Sequence, residues 1–427
     1  MKKTNALPPG RTAALLSWAM YDWAYSAFST IIQTFVFAAY FTRQVAADKT
    51  VASAEWGNAI SMAGLIVALS GPLLGALADQ TGRRKSWIAG FTLLCTIPTG
   101  LLWFIRPDPA CALPALLLVA VATVGFESAS IFYNAMLPSL APADGVGRWS
   151  GWGWGFGYLG GLLCLTAALY GLVKPETALL RLNVGQAENV RATFVLAAGW
   201  HLLFALPLFL FTPDERRSRL PLALTVKHGW AQLADSLRHV RRYGHLVRFF
   251  IARMVYIDGM ATLFAFGGVY AAGTFAMSAQ QVLLFGIGMN VTAGLGAAVF
   301  ALIDDRVGGK KVILLSLLGL LVSGSLVLLV STQFLFWIFG LLLGIFVGPA
   351  QASSRSYLAR VAPEALRNEM FGLFALSGKA TAFLGPLLVG WLTLLTGSQR
   401  LGMSAILAFF LAGGLLMLTV PPDRRNA

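Results

Sequence analysis

The chain has 427 residues, 57% of them hydrophobic and only 12% charged, with a mean hydropathy of +0.72. A water-soluble protein of this length needs far more charge to cover its surface. The formal net charge of +14 would suggest a nucleic-acid partner in a soluble protein, but its distribution along the chain excludes that reading.

Apolar stretches of about 20 residues, the length that crosses a bilayer, recur from end to end. Bounded by charge, Pro and Gly, they predict twelve spans near 17–41, 56–77, 87–105, 113–136, 150–173, 191–211, 247–271, 279–302, 312–330, 333–355, 369–396 and 401–420. No cleavage site follows a short apolar core near the start, so the first span is expected to be retained. With that span starting from the cytoplasm, twenty-three of the 32 Lys and Arg fall on the cytoplasmic side and seven on the other. Arg253 and Lys379 fall inside spans. This positive-inside bias puts both termini in the cytoplasm and explains the charge without nucleic acid.

Between spans two and three lies Asp79-Gln80-Thr81-Gly82-Arg83-Arg84-Lys85, echoed between spans eight and nine by Asp305-Arg306-Val307-Gly308-Gly309-Lys310-Lys311. Two such turns in matching places imply a chain built twice. The expected fold is an all-α membrane protein with twelve transmembrane helices in two pseudo-symmetric six-helix bundles, 1–211 and 247–427. A cytoplasmic linker, 212–246, joins them. In it Trp230, Leu233, Leu237 and Val240 share one helical face, with Arg238, Arg241 and Arg242 towards the other, as a helix lying on the inner membrane surface requires. Gly75, Gly82 and Gly308 allow close turns, and Arg83 and Arg306 hold them on the cytoplasmic side. Asp79 and Asp305 are expected to accept hydrogen bonds from neighbouring helix ends when the halves close there.

These residues resemble the major facilitator superfamily, marked by G-x-x-x-D-R-x-G-R-R/K after the second helix. Here the pattern reads Gly75-Ala76-Leu77-Ala78-Asp79-Gln80-Thr81-Gly82-Arg83-Arg84, with Gln80 in place of Arg, and the second copy has Ala301 at the leading Gly. More specific matches resemble the unidentified-major-facilitator branch that includes vacuolar amino-acid effluxers. They are Ser17-Trp18-Ala19-Met20-Tyr21-Asp22-Trp23-Ala24, Phe132-Tyr133-Asn134-Ala135-Met136-Leu137-Pro138, Asp258-Gly259-Met260-Ala261-Thr262-Leu263-Phe264, Ala350-Gln351-Ala352-Ser353-Ser354-Arg355-Ser356 and Ser377-Gly378-Lys379. Tyr25 stands where that branch has Asn. The resemblance spans nearly the whole chain and implies the major facilitator fold, small-solute transport and amino-acid efflux among its relatives.

Ionisable groups inside spans cost about 2.5–3.5 kcal/mol on insertion scales, so each is a candidate. Lys379 and Arg355 suit a substrate carboxylate; Asp22, Glu127 and Asp258 suit an amine or a proton. The structural alternative pairs Asp258 with Lys379 or Arg253 to fix helices. Asn134, Gln351, Gln33 and Asn290 can line a cavity or bond between helices, and His201 is expected to bond between helices. Trp18, Trp87, Trp103, Trp337 and Trp391 read as interfacial anchors. In span five, Gly153, Gly157 and Gly161 make two GxxxG steps for close helix packing. Gly155, Gly157 and Gly160 also fit GxGxxG, but no strand precedes them. The three cysteines show no metal-ligand or redox spacing.

No HExxH, GxSxG or GxxxxGK[ST] motif is present, so no enzyme activity and no cofactor are expected. The expected function is a secondary active transporter for a small polar or zwitterionic, amino-acid-like solute, working by alternating access with proton coupling. It is read as a monomer in the bacterial inner membrane, with solute, protons and lipid as its partners. A flippase-like lipid carrier and a non-transporting sensor or assembly factor are the alternatives on the same scaffold.

Overall fold

The structure is a computed structural model that describes residues 9–47, 49–81, 83–174, 182–213, 228, 230–232, 235 and 243–423. Among the described residues there are helices and turns but no strands. In the first half the main helices are α1 (Pro9–Phe28), α2 (Lys49–Thr81), α3 (Arg84–Leu101), α4 (Ala112–Leu140), α5 (Val146–Ala168) and α6 (Glu188–Phe211). The second half holds α7 (Gly244–Phe275), α8 (Ala279–Val307), α9 (Gly309–Leu329), α10 (Gln333–Val361), α11 (Arg367–Ser377), α12 (Leu384–Thr396) and α13 (Gln399–Leu418). Some helix starts carry side-chain caps. Ser278 and Gln281 form a reciprocal capping box on α8, and Thr332 and Ser398 cap α10 and α13.

Among the described residues, eleven helical stretches are long and apolar enough to cross a membrane. The predicted eleventh span, 369–396, is not one of them. It is built from α11 and the shorter apolar α12, separated by turns over 378–383. Pro386 explains the interruption: it has no N–H to give, and its ring conflicts with a helical carbonyl four residues earlier. The outward surface is apolar where lipid would lie, with Leu394 84% and Leu329 74% exposed, a pattern that water would not tolerate over so many helices.

Two compact units emerge. Unit 1 comprises 1–66, 81–142 and 156–219; unit 2 comprises 67–80, 143–155 and 220–427. This partition differs from the sequence-derived halves, because the end of α2 and the start of α5 group with unit 2. Within unit 1, α1 packs on α6 and α3 on α4; within unit 2, α7 packs on α13 and α9 on α10. The first span of each half thus meets the sixth, and the third meets the fourth, as an internal repeat requires. The glycine steps of α5 act as expected in unit 1: a Cβ on Gly157 would stand 2.8 Å from Ser26 Oγ, and one on Gly161 would collide with Thr30 Oγ1. Of the linker's amphipathic face, Leu233, Leu237, Val240, Arg238, Arg241 and Arg242 lie outside the described residues.

Candidate functional site

The aspartates that open the two basic turns make matching contacts in unit 2. Helix α2 can reach α11 because residue 75 is Gly; a Cβ there would collide with the Asn368 carbonyl. Four residues on, Asp79 Oδ1 accepts from the Asn368 backbone N–H (3.1 Å) and side-chain amide (2.6 Å), and Oδ2 accepts from the Glu369 N–H (3.0 Å). A carboxylate thus caps the first turn of α11, where unpaired N–H groups and the helix dipole favour negative charge. Asp305 does the same for α5, accepting from Gly147 N (2.8 Å) and Arg148 N (3.1 Å). Arg306 is exposed, and Gly308, at φ +91°, supplies the left-handed turn between α8 and α9. Arg83 is exposed before α3, and Gly82 lies outside the described residues.

Around the second turn sits a network that the sequence did not reveal. Arg360 binds Asp304 at 2.6 Å, Asp423 at 2.9 Å and Asp305 at 3.3 Å. Asp423 in turn accepts from the Gly309 and Lys310 N–H groups and caps α9. Its members come from α8, α10 and the segment after α13, so no local motif announces them. Gln80, which replaces the superfamily Arg, donates to Gln232 Oε1 (2.5 Å), and Gln232 donates to the buried Glu369 (2.8 Å). Arg355 is also held here. Its Nε donates to Ser150 Oγ (2.9 Å) and its Nη2 to Ser150 O (2.5 Å), with the guanidinium 5.8 Å from the Trp154 ring centre.

In unit 1, Asp22 and Glu127 are half-buried on α1 and α4. Helical spacing puts Tyr25 and Ser26 beside Asp22 and Ser130 beside Glu127, with Asn134 two turns on along the same face. The Tyr25 hydroxyl meets Ser130 and lies within electrostatic reach of Glu127, while its ring stacks on Phe126 at 3.7 Å. Trp18 is no interfacial anchor: it is fully buried, stacks on Tyr133 and donates to the Tyr133 carbonyl at 3.0 Å. His201 does not bond between helices as expected. Neither ring nitrogen has a hydrogen-bond partner among the described residues, and the ring meets Tyr21 and Tyr25 edge-on instead. Gln33 donates weakly to Thr123, whereas Asn290 bonds within its own helix to Gly286.

In unit 2, Asp258, Gln351 and Lys379 occupy α7, α10 and the turn between α11 and α12; Gln351 and Lys379 are half-buried. Arg253 donates to Phe374 O (2.6 Å) and Ser377 Oγ (2.7 Å), with its guanidinium 3.4 Å from the Phe374 ring centre. It therefore caps the C-terminal end of α11. Asp258 is 2% exposed, and neither carboxylate oxygen is hydrogen-bonded to Arg253, Lys379 or any other described residue. The seven solute-binding candidates thus divide between the units, with Asp22, Glu127 and Asn134 in unit 1 and Asp258, Gln351, Lys379 and Arg355 in unit 2.

The fold is that of the major facilitator superfamily. The fucose transporter FucP in its outward conformation superposes with a TM-score of 0.76 at 12% identity, covering 96% of this chain and 99% of that one. The proton:xylose symporter XylE gives 0.73 at 16% identity, covering 97% and 96%. The chain belongs to the vacuole effluxer Atg22-like family, whose profile matches residues 55–148 and 146–427. It is 26% identical over 411 residues to the MFS-type transporter YxiO of Bacillus subtilis, covering 95% of this chain and 94% of that protein. Autophagy-related protein 22 of Kluyveromyces lactis is 25% identical over 355 residues, 75% of this chain and 68% of its own length. The protein is therefore a multi-pass MFS-type transporter, a class distinct from enzymes.

Proposed function

We propose that this chain is a secondary active transporter that moves a small polar or zwitterionic, amino-acid-like solute by alternating access, with the proton as coupling ion. The observation that carries the reading is the matched pair of capping aspartates, Asp79 on α11 and Asp305 on α5. Bonds from a carboxylate to helix-end N–H groups can be exchanged for water at small net cost, which suits a contact that must open and close. The halves 1–211 and 247–427 are the moving bodies, joined by 212–246, and Gly75, Gly82, Arg83, Arg306 and Gly308 shape the turns.

The chemistry of the deep groups supports the solute class. In unit 1, Asp22 and Glu127, with Asn134, are the groups we assign to an ammonium. In unit 2, Lys379 and Gln351 are those we assign to a carboxylate. Arg355, bonded to Ser150, is grouped with the α5–α10 contact instead. The charge asymmetry supports both termini in the cytoplasm and the Bacillus relative a bacterial plasma membrane, where we read the protein as a monomer. The family's description as a vacuole effluxer supports export.

A thermal-shift screen of the purified protein against amino acids, peptides, sugars and lipids comes first. Stabilising compounds then go into proteoliposomes with and without an imposed proton gradient. An amino-acid-like compound whose flux the gradient accelerates is the expected result. Stabilising compounds that never cross the membrane would overturn the reading.

A further inference from the structure

Helix α7 presents opposite charges to the two ends of the interruption in span eleven. Arg253 has found its helix end, the Phe374 carbonyl and Ser377 hydroxyl in the last turn of α11. Asp258, five residues on, lies where α12 begins. Gly385, the second residue of α12, packs on the Asp258 backbone: a Cβ there would stand 3.2 Å from Asp258 O and collide with Thr262 Oγ1. Thr262 itself donates to that carbonyl at 2.7 Å. The Asp258 carboxylate neighbours the Gly385 N–H without bonding to it, although almost no solvent reaches the residue.

A buried carboxylate with neither hydrogen bond nor counter-ion is costly, and the neutral acid much less so. We propose that Asp258 is the group that takes up the transported proton, and that the first turn of α12 is the element that responds to it. The proposal rests on the transport reading above and names the residue behind its coupling. The exchange is a single protonation, carboxylate plus one proton giving the acid. With the proton on, Asp258 carries no charge to be compensated, which suits its unbonded side chain. With the proton off, the carboxylate needs a donor, and the nearest is the Gly385 N–H at the positive end of α12, since the Leu384 and Leu387 N–H groups are taken by Thr381 and Phe383 carbonyls and Pro386 has none. Losing the proton therefore fastens the first turn of α12, already in close contact with α7, through a bond from the Gly385 N–H to the carboxylate.

The charged and titratable groups around Asp258 leave it this role. On α7 itself, Arg253 is engaged with α11 and the Tyr256 hydroxyl with Ser354, while His245 and Arg248 stand in its first two turns and Tyr270 near its end. Helix α12 has no ionisable residue, and α13 has only Arg400, which donates to Val330 O. Arg367 and Glu369 lie in the first turn of α11, the end away from α12. On α10, Arg355 binds Ser150, Tyr357 binds Pro421 and Arg360 binds the aspartates; on α8, Asp304, Asp305 and Arg306 lie in the last turn. Lys379 lies in the turns that precede α12.

The test uses the full-length protein in lipid nanodiscs and needs no solute. Infrared spectroscopy from acid to alkaline pH follows the C=O stretch of protonated carboxylic acids, and hydrogen–deuterium exchange follows peptides over 378–390. In the wild type, an acid C=O band should disappear as pH rises, and exchange in the first turn of α12, corrected for intrinsic rate, should slow in step. Asp258→Asn should abolish both changes; Glu127→Gln should retain both. Asp258→Glu should keep the band at a shifted frequency, which decides the matter if the Asn variant does not fold. A band that survives in Asp258→Asn, or no acid band at any pH, overturns the proposal without touching the transport reading, which stands or falls on solute flux.

Discussion

Asp79 and Glu127 are both carboxylates on long apolar helices, yet their surroundings give them different work. Asp79 accepts three bonds from one helix end, so Asp79→Asn keeps the shape but loses the charge that the helix dipole rewards. The capped state should weaken by about 1–2 kcal/mol. Cysteine labelling of α11 positions near Asn368 should then rise several-fold, and the same should hold for Asp305→Asn at α5. Glu127 faces Tyr25 and Ser130 rather than a helix end. Glu127→Gln should depress gradient-driven flux while protein abundance stays normal; flux and pH dependence both unchanged would remove Glu127 from the solute-handling group. The roles of Asp79 and Asp305 were legible because each sits in a repeated turn. The Arg360 network was not, because its acids meet only after α8, α10 and the segment beyond α13 have folded together.

At the level of elements, glycine decides two contacts. Gly308 holds φ +91°, so Gly308→Ala should destabilise the protein by about 1–3 kcal/mol and lower its Tm in detergent. Gly75→Val would push a branched side chain into the Asn368 carbonyl. Overpacking of this kind costs about 1–3 kcal/mol, and the variant should mimic Asp79→Asn in labelling while retaining its carboxylate. Span positions were readable because hydropathy averages over about 20 residues. The interruption of span eleven was not, since the same averaging blurs Gly378, Lys379 and Pro386 into an apolar window. His201 and Trp18 were misplaced for a related reason: periodicity says which residues lie inside, not which rings they meet.

For the whole molecule, the repeat was legible in the two turns and is visible in the repeated helix pairings of α1 with α6 and α7 with α13. The division into compact units was not legible, because it cuts through α2 and α5, which the sequence presents as continuous apolar helices. Segments 67–80 and 143–155 belong by sequence to one half and by packing to the unit dominated by the other. The bonds made by Asp79 and Asp305 lie in these two stretches.

Gln80, Gln232 and Glu369 tie the connecting segment to the same helix end that Asp79 caps. Any conformer in which that end swings free must also slacken this tether. The connector is rich in arginine, with Arg216, Arg217, Arg219, Arg238, Arg241 and Arg242, so trypsin should nick it faster in such conformers. Limited digestion then becomes a clock for the transport cycle that needs no radiolabelled cargo: Asp79→Asn should be cut sooner than the wild type, and a stabilising solute should change the rate in only one of the two.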